Sequence, residues 1–170
     1  MKDTYNANAL RNILLNDVQD RLIKLFTEDG FDIYPLTSEE KKSKEMKIAF
    51  PFGRLKRKQG EKLEIAEIQF DKYGKLKFII NFGVVPENGV TLPWTHISQQ
   101  DADVAALSEA YRLYSSSIWS AWFSVGWLAQ KNVENVKKTV DKAINLYPEI
   151  ENWFSTGTMG KHMRKFGFSQ

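Results

Sequence analysis

The chain has 170 residues, 42% of them hydrophobic and 26% charged, with a formal net charge of +3. That length reads as a single domain, residues 1–170, large enough to bury a core without staples. There is no cysteine, which excludes disulfides, thiolate metal sites and cysteine nucleophiles together.

The first twenty residues hold no continuous apolar run, and no later stretch is long and apolar enough to span a bilayer, so a cytoplasmic location is expected. The charge is unevenly spread. Between Ser38 and Lys62 nine Lys or Arg face four Glu, while Glu87 to Gln130 holds four acids and one base.

Residues 5–29 read as a long amphipathic helix. Leu10, Leu14, Val18, Leu22 and Phe26 recur every fourth residue, and Ile13 and Leu25 widen the stripe. Gly30 and Phe31 then fit a helix end in which Phe31 folds back on Phe26. "FDIYPL" reads as a short first strand. "EMKIAFPFGR", alternating through Met46, Ile48, Phe50 and Phe52, reads as a second that ends near Pro51.

"GRLKRKQGEK" is then the exposed turn into the strongest local signal, "EIAEIQFDKYGKLKFIINFGVVP". Asp71-Lys72-Tyr73-Gly74 suits a hairpin turn, predicting strands 63–71 and 75–85 with Phe70 facing Leu76 and Ile68 facing Phe78. Glu67, Gln69, Lys77 and Asn81 fall on the other face. After a proline-containing loop, Val104, Leu107, Tyr111 and Tyr114 predict a helical stretch from Asp101. Residues 117–127 are compatible with strand or helix, the alternation of Trp119, Ala121, Phe123, Val125 and Trp127 favouring a strand. A clear helix follows over 132–147, ended or kinked at Pro148. The fold class is therefore α+β: a long N-terminal helix, an antiparallel meander of three to five strands, and C-terminal helices on one sheet face.

"STGTMGKHM", residues 155–163, is the most phosphate-loop-like stretch. A Walker loop needs an earlier glycine where Ser155 stands and a hydroxyl residue where His162 stands, so both requirements fail. "GTMG" matches the Gly-x-x-Gly of KH domains, but with too little chain after it for that fold. The stretch reads instead as a helix start, with Thr158 as cap, Met159, Met163 and Phe166 as stripe, and Gly167–Phe168 as terminal cap.

No metal or cofactor is expected. His96 and His162 have no acidic or histidine neighbour at helical spacing, the "SSSIWS" serines lack a nucleophile elbow, and Asp101 and Asp103 answer to a helix dipole. Trp119, Trp127 and Trp153 are expected in the core, and Trp94 and Trp122 on the surface as binding candidates. Arg54, Lys56, Arg57, Lys58 and Lys62 converge on the turn 54–62, where they could meet nucleic acid or an acidic protein. A charged cluster around His96 or Arg112 in a buried cavity would instead mark an enzyme or a small-ligand binder.

Taken in order, "LIKLFTEDGF", "KFIINFGVVP", "YRLYSS", "IWSAWFSV" and "LYPEIENW" resemble the uncharacterised bacterial family known as domain of unknown function 4304. A tryptophan pair adjacent in that family is replaced here by Trp119 and Trp122 with Ser-Ala between them. The resemblance implies a small stand-alone α+β protein and, by analogy, an immunity-like or partner-binding role. Together these readings predict a non-enzymatic protein-binding module, with nucleic-acid binding through residues 54–62 as the alternative.

Overall fold

The computed structural model describes residues 6–116, 119–126 and 128–166. The N-terminal helix α1 is α-helical over Ala7–Asp17, π-helical over Val18–Ile23 and α-helical again over Lys24–Glu28. The side chain of Asn6 caps it by accepting from the Ala9 N–H at 2.7 Å. Spacing by four does not match 3.6 residues per turn, so the stripe would wind off an α-helical face. One wider turn brings it back, and Leu10, Leu14, Val18, Leu22 and Phe26 are all at most 1% exposed. At the far end the expected cap forms. Phe31 N–H donates to Phe26 O at 3.0 Å, Gly30 N–H donates to Thr27 O at 3.1 Å, and the Phe26 and Phe31 rings meet at 5.3 Å.

Strand β1 is Asp32–Tyr34, where a short strand was expected. The second expected strand is instead a helix, α2 (Lys44–Ala49), because Ser43 Oγ caps it by accepting from Met46 N–H. Strands β2 (Arg54–Gln59), β3 (Lys62–Phe70) and β4 (Lys77–Val85) follow as an antiparallel meander. The chain from Arg54 is thus a strand, and only its far end turns.

The β3–β4 hairpin forms with a register two residues away from the expected one. Phe70 pairs with Phe78, Ile68 with Ile80 and Ala66 with Phe82. The loop is longer because Asp71 Oδ1 accepts from the N–H groups of both Tyr73 and Lys75, and Asp71 also pairs with Lys77 at 3.3 Å. A slip of two keeps every side chain on its face, so the division between apolar and polar faces is as expected.

Beyond β4 come a small hairpin, β5 (Val90–Leu92) with β6 (Thr95–Ile97), and a 3₁₀ turn at Val104–Ala106. The expected helix from Asp101 is that single turn, capped by Asp103 on Ala106 N–H at 3.0 Å; Ala110–Leu113 is strand β7. Phe123–Ser124 forms β8, consistent with the strand reading there; Ile118 and Trp127 lie outside the described residues. Helix α3 runs Val133–Thr156 and so does not end at Pro148. The stretch "STGTMGKHM" does not start a helix. It ends α3 at Gly157 (φ 73°) and leads into strand β9, Met163–Phe166. Glu149 holds the loop by accepting from His162 N–H at 2.9 Å and pairing with its Nδ1 at 2.6 Å, and Gly160 lies where a Cβ would overlap Glu149. Gly167 and Phe168 lie outside the described residues.

The fold is α+β, with one antiparallel sheet of order β1-β2-β3-β4-β7-β9 and β8 paired to the start of β4. It exceeds the expected three to five strands because β7 and β9 were read as helical. Helices α1 and α3 cover one face, burying Phe70, Phe78, Ile80, Phe82 and Leu113. A smaller cluster on the opposite face joins Leu63, Ile65, Val85 and Ala110 to Ala102, Val104 and Leu107. Among the described residues no helix is long and apolar enough to cross a membrane.

Candidate binding surface

The face opposite the helices carries a polar row set by strand alternation and register: Arg54, Glu67, Asn81, Arg112 and Arg164 on β2, β3, β4, β7 and β9. Its two ends differ. At the β2 end, Arg54 reaches Glu40 at 2.8 Å, Glu67 at 3.0 Å and Asp103 at 3.6 Å. Burial pushes the Glu67 carboxyl pKa up against the pull of Arg54. Glu67 also accepts from Val104 N–H at 3.3 Å, so the network ties the 98–106 segment to the sheet. Lys56 donates to Gln100 O, and Lys58 to Gln99 Oε1 at 2.7 Å.

Arg57 points the other way, into the helical side. Its Nε donates to Glu64 at 2.6 Å, its two Nη groups reach the two oxygens of Glu151 at 3.2 and 3.4 Å, and its guanidinium lies 4.4 Å from the Phe31 ring centroid. Lys62 is exposed at the start of β3. The basic residues expected to converge on a turn are therefore divided between two faces by strand alternation, and Arg54 and Arg57 are held by carboxylates of the chain itself.

Trp94 stands at the tip of the β5–β6 hairpin, 79% exposed, over a largely apolar groove of about 580 Å³. Val90 and Leu92 form one wall and Ala106, Leu107 and Glu109 the other. Leu107 can lie on the sheet because Gly83 has no side chain; a Cβ there would sit 2.6 Å from Leu107 Cδ1. His96, exposed on β6, contacts Thr91 Oγ1 through Nδ1 at 3.1 Å. Phe166, like Val90 and Ile97, packs against the Leu107 cluster, and its ring centroid is 4.5 Å from the Arg112 guanidinium. Leu107 and Val90, which line the groove, thus belong to the cluster on which Phe166 packs.

Trp122 is half-buried elsewhere, by Lys77, whose ammonium lies 4.0 Å from its ring centroid, in a cleft of about 350 Å³ shared with Met46, Phe50 and Tyr73. Trp153 packs in the core as expected, between Phe82 and Tyr111, but Trp119 is 87% exposed, contrary to its expected burial. Trp127 lies outside the described residues. Asn81, Leu107, Tyr114 and Arg164 were not singled out as site residues in the sequence. Asn81 was legible as a polar position on a strand, whereas Arg164 reaches Arg112 only through the β7–β9 pairing. Comparison with protein-family models, with curated proteins and with solved structures returns no match to this chain.

Proposed function

We propose that the protein is a non-enzymatic binding module that seats a segment of a partner protein in the groove beneath Trp94. The supporting observation is the groove itself: apolar walls, with a nearly fully exposed indole on a projecting hairpin. A large aromatic side chain held at low entropic cost beside an apolar pocket is the usual core of a protein-recognition hot spot. The nucleic-acid alternative has weaker support, because the internal ion pairs of Arg54 and Arg57 compete with phosphate for the same guanidinium groups.

The test is selection from a random peptide library on the full chain and on the Trp94→Ala variant. Trp94 is exposed, so that variant keeps its melting temperature. Selected peptides are expected to carry a large apolar anchor and to bind wild type at least ~5-fold more tightly, as loss of a tryptophan hot spot of more than about 1 kcal/mol requires. Equal enrichment on both proteins, or recovery only of nuclease-sensitive nucleic acid from lysate, overturns the reading.

A further inference from the structure

Arg57 and Arg112 share a plan, although a carboxylate holds the first and an amide the second. In both, Nε is held by a side-chain oxygen: Glu64 at 2.6 Å for Arg57 and Asn81 at 2.7 Å for Arg112. In both, an aromatic ring supports the guanidinium, Phe31 at 4.4 Å and Phe166 at 4.5 Å. For Arg57 the Nη groups are occupied: Nη1 donates to Asp29 O at 2.6 Å, and Nη1 and Nη2 reach the two oxygens of Glu151 at 3.2 and 3.4 Å. For Arg112 they donate to no described residue, and no carboxylate of the described residues pairs with it.

The surroundings of Arg112 deepen the contrast. Directly across β9 stands a second arginine, Arg164, whose guanidinium lies 5.8 Å from the Tyr114 ring centroid. Like charges opposite one another in a sheet repel, and Arg164 itself donates through Nη1 to Met163 O at 2.8 Å and Lys161 O at 3.2 Å. Asn81 is buried and is itself oriented by Gln69, its Nδ2 donating to Gln69 Oε1 at 3.4 Å. A guanidinium fixed by such a relay is already aimed, so a ligand need not order it. Burial also lowers the pKa of Arg112, a penalty an arriving anion would relieve.

The geometry points to Arg112, flanked by Arg164, as a carboxylate-binding site. The carboxylate occupies the Nη positions that Glu151 fills on Arg57, as bidentate guanidinium recognition requires. Phe166 links this site to the groove, so if the groove reading holds, the bound segment carries an acidic residue beside its apolar anchor. The site itself stands without that reading.

The test follows the Arg112 Nε–Hε NMR signal of the full chain, assigned by its loss in Arg112→Gln, while acetate, inorganic phosphate or chloride is added at matched ionic strength. Acetate is expected to move the signal saturably and chloride not to. Arg164→Gln weakens acetate binding several-fold, and Trp94→Ala leaves it unchanged, which separates this result from the fate of the groove. An acetate response no larger than that of chloride overturns the proposal. Saturation by phosphate at lower concentration than acetate overturns the assignment to a carboxylate.

Discussion

Deleting Asp20 is expected to leave the fold intact and to turn α1 into an unbroken α-helix. At about 100° per residue, apolar positions spaced by four drift by about 40° per step, about 160° across five of them. The π-helical turn, with about 4.4 residues, absorbs that drift. Without Asp20 the spacings from Leu10 to Phe26 become four, four, three and four, and the same side chains fall within about 80° of an ideal α-helix. Asp20 is exposed, and the deletion re-aims the contacts of Arg21 with Asp17 and Asp141. Such part-exposed pairs contribute on the order of 1 kcal/mol each, and a chain of this length loses about 2–4 °C of melting temperature per kcal/mol. A fall of a few degrees at most is expected.

The comparison is deletion of Lys142, also exposed, from α3. Buried Val136, Val140, Ala143, Tyr147 and Ile150 already follow regular α-helical spacing. Removing a residue there rotates half the helix by about 100°. Several core side chains leave the sheet, each at about 2–5 kcal/mol, and the chain should not fold. Circular dichroism and thermal melts of the two deletions decide the matter. If loss of Asp20 is as damaging as loss of Lys142, the account of the π turn as a spacing correction is wrong.

Gly83→Ala is expected to push Leu107 off the sheet, costing about 1–3 kcal/mol in a urea melt and weakening peptides selected on the groove. For Asp71, burial opposes the charge, but donation from the Lys75 N–H, the Lys77 ammonium and the Tyr73 N–H outweighs it and holds the pKa below the ordinary value. A depressed native pKa gives stabilisation that is complete above the unfolded value of about 3.9 and lost as pH falls through the native one. The stability difference between wild type and Asp71→Asn in urea melts should therefore shrink below about pH 4. Arg164→Glu supplies the acid that Arg112 lacks across the strand pair, and should stabilise by about 0.2–1 kcal/mol while abolishing the acetate response; an unchanged response in the NMR titration would count against the site.

Local signals were the legible ones. The Phe26–Gly30–Phe31 cap, the faces of β3 and β4, and helix α3 each follow from residues close in sequence, and all formed. The β3–β4 register failed by two because Asp71 gathers two backbone donors and lengthens its loop, a competition invisible to pattern matching. Residues 44–49, 110–113 and 163–166 were assigned the wrong element type for a common reason. Each is six residues or fewer, too short for a period of two to be told from a period of 3.6, so capping at Ser43 and pairing with distant strands decided the outcome. The same limit hid the candidate site. Trp94 could be suspected from its neighbours alone, whereas the relation of Arg112 to Arg164 exists only once β9 has docked. Residues 54–62 misled because a run of basic residues looks alike whether it is a loop or an alternating strand.

The pairing of β7 with β9 joins Leu113 to Met163, enclosing all of α3 between them. Closing so long a loop costs entropy before any contact rewards it, whereas β2, β3 and β4 zip through short turns. On that ground the meander is expected to form first and β9, an edge strand held on one side, to pair last. Arg112 is present from the moment β7 pairs, but its ring support and its second arginine come only with β9. An acidic ligand that needs all three would therefore bind only once β9 has paired with β7.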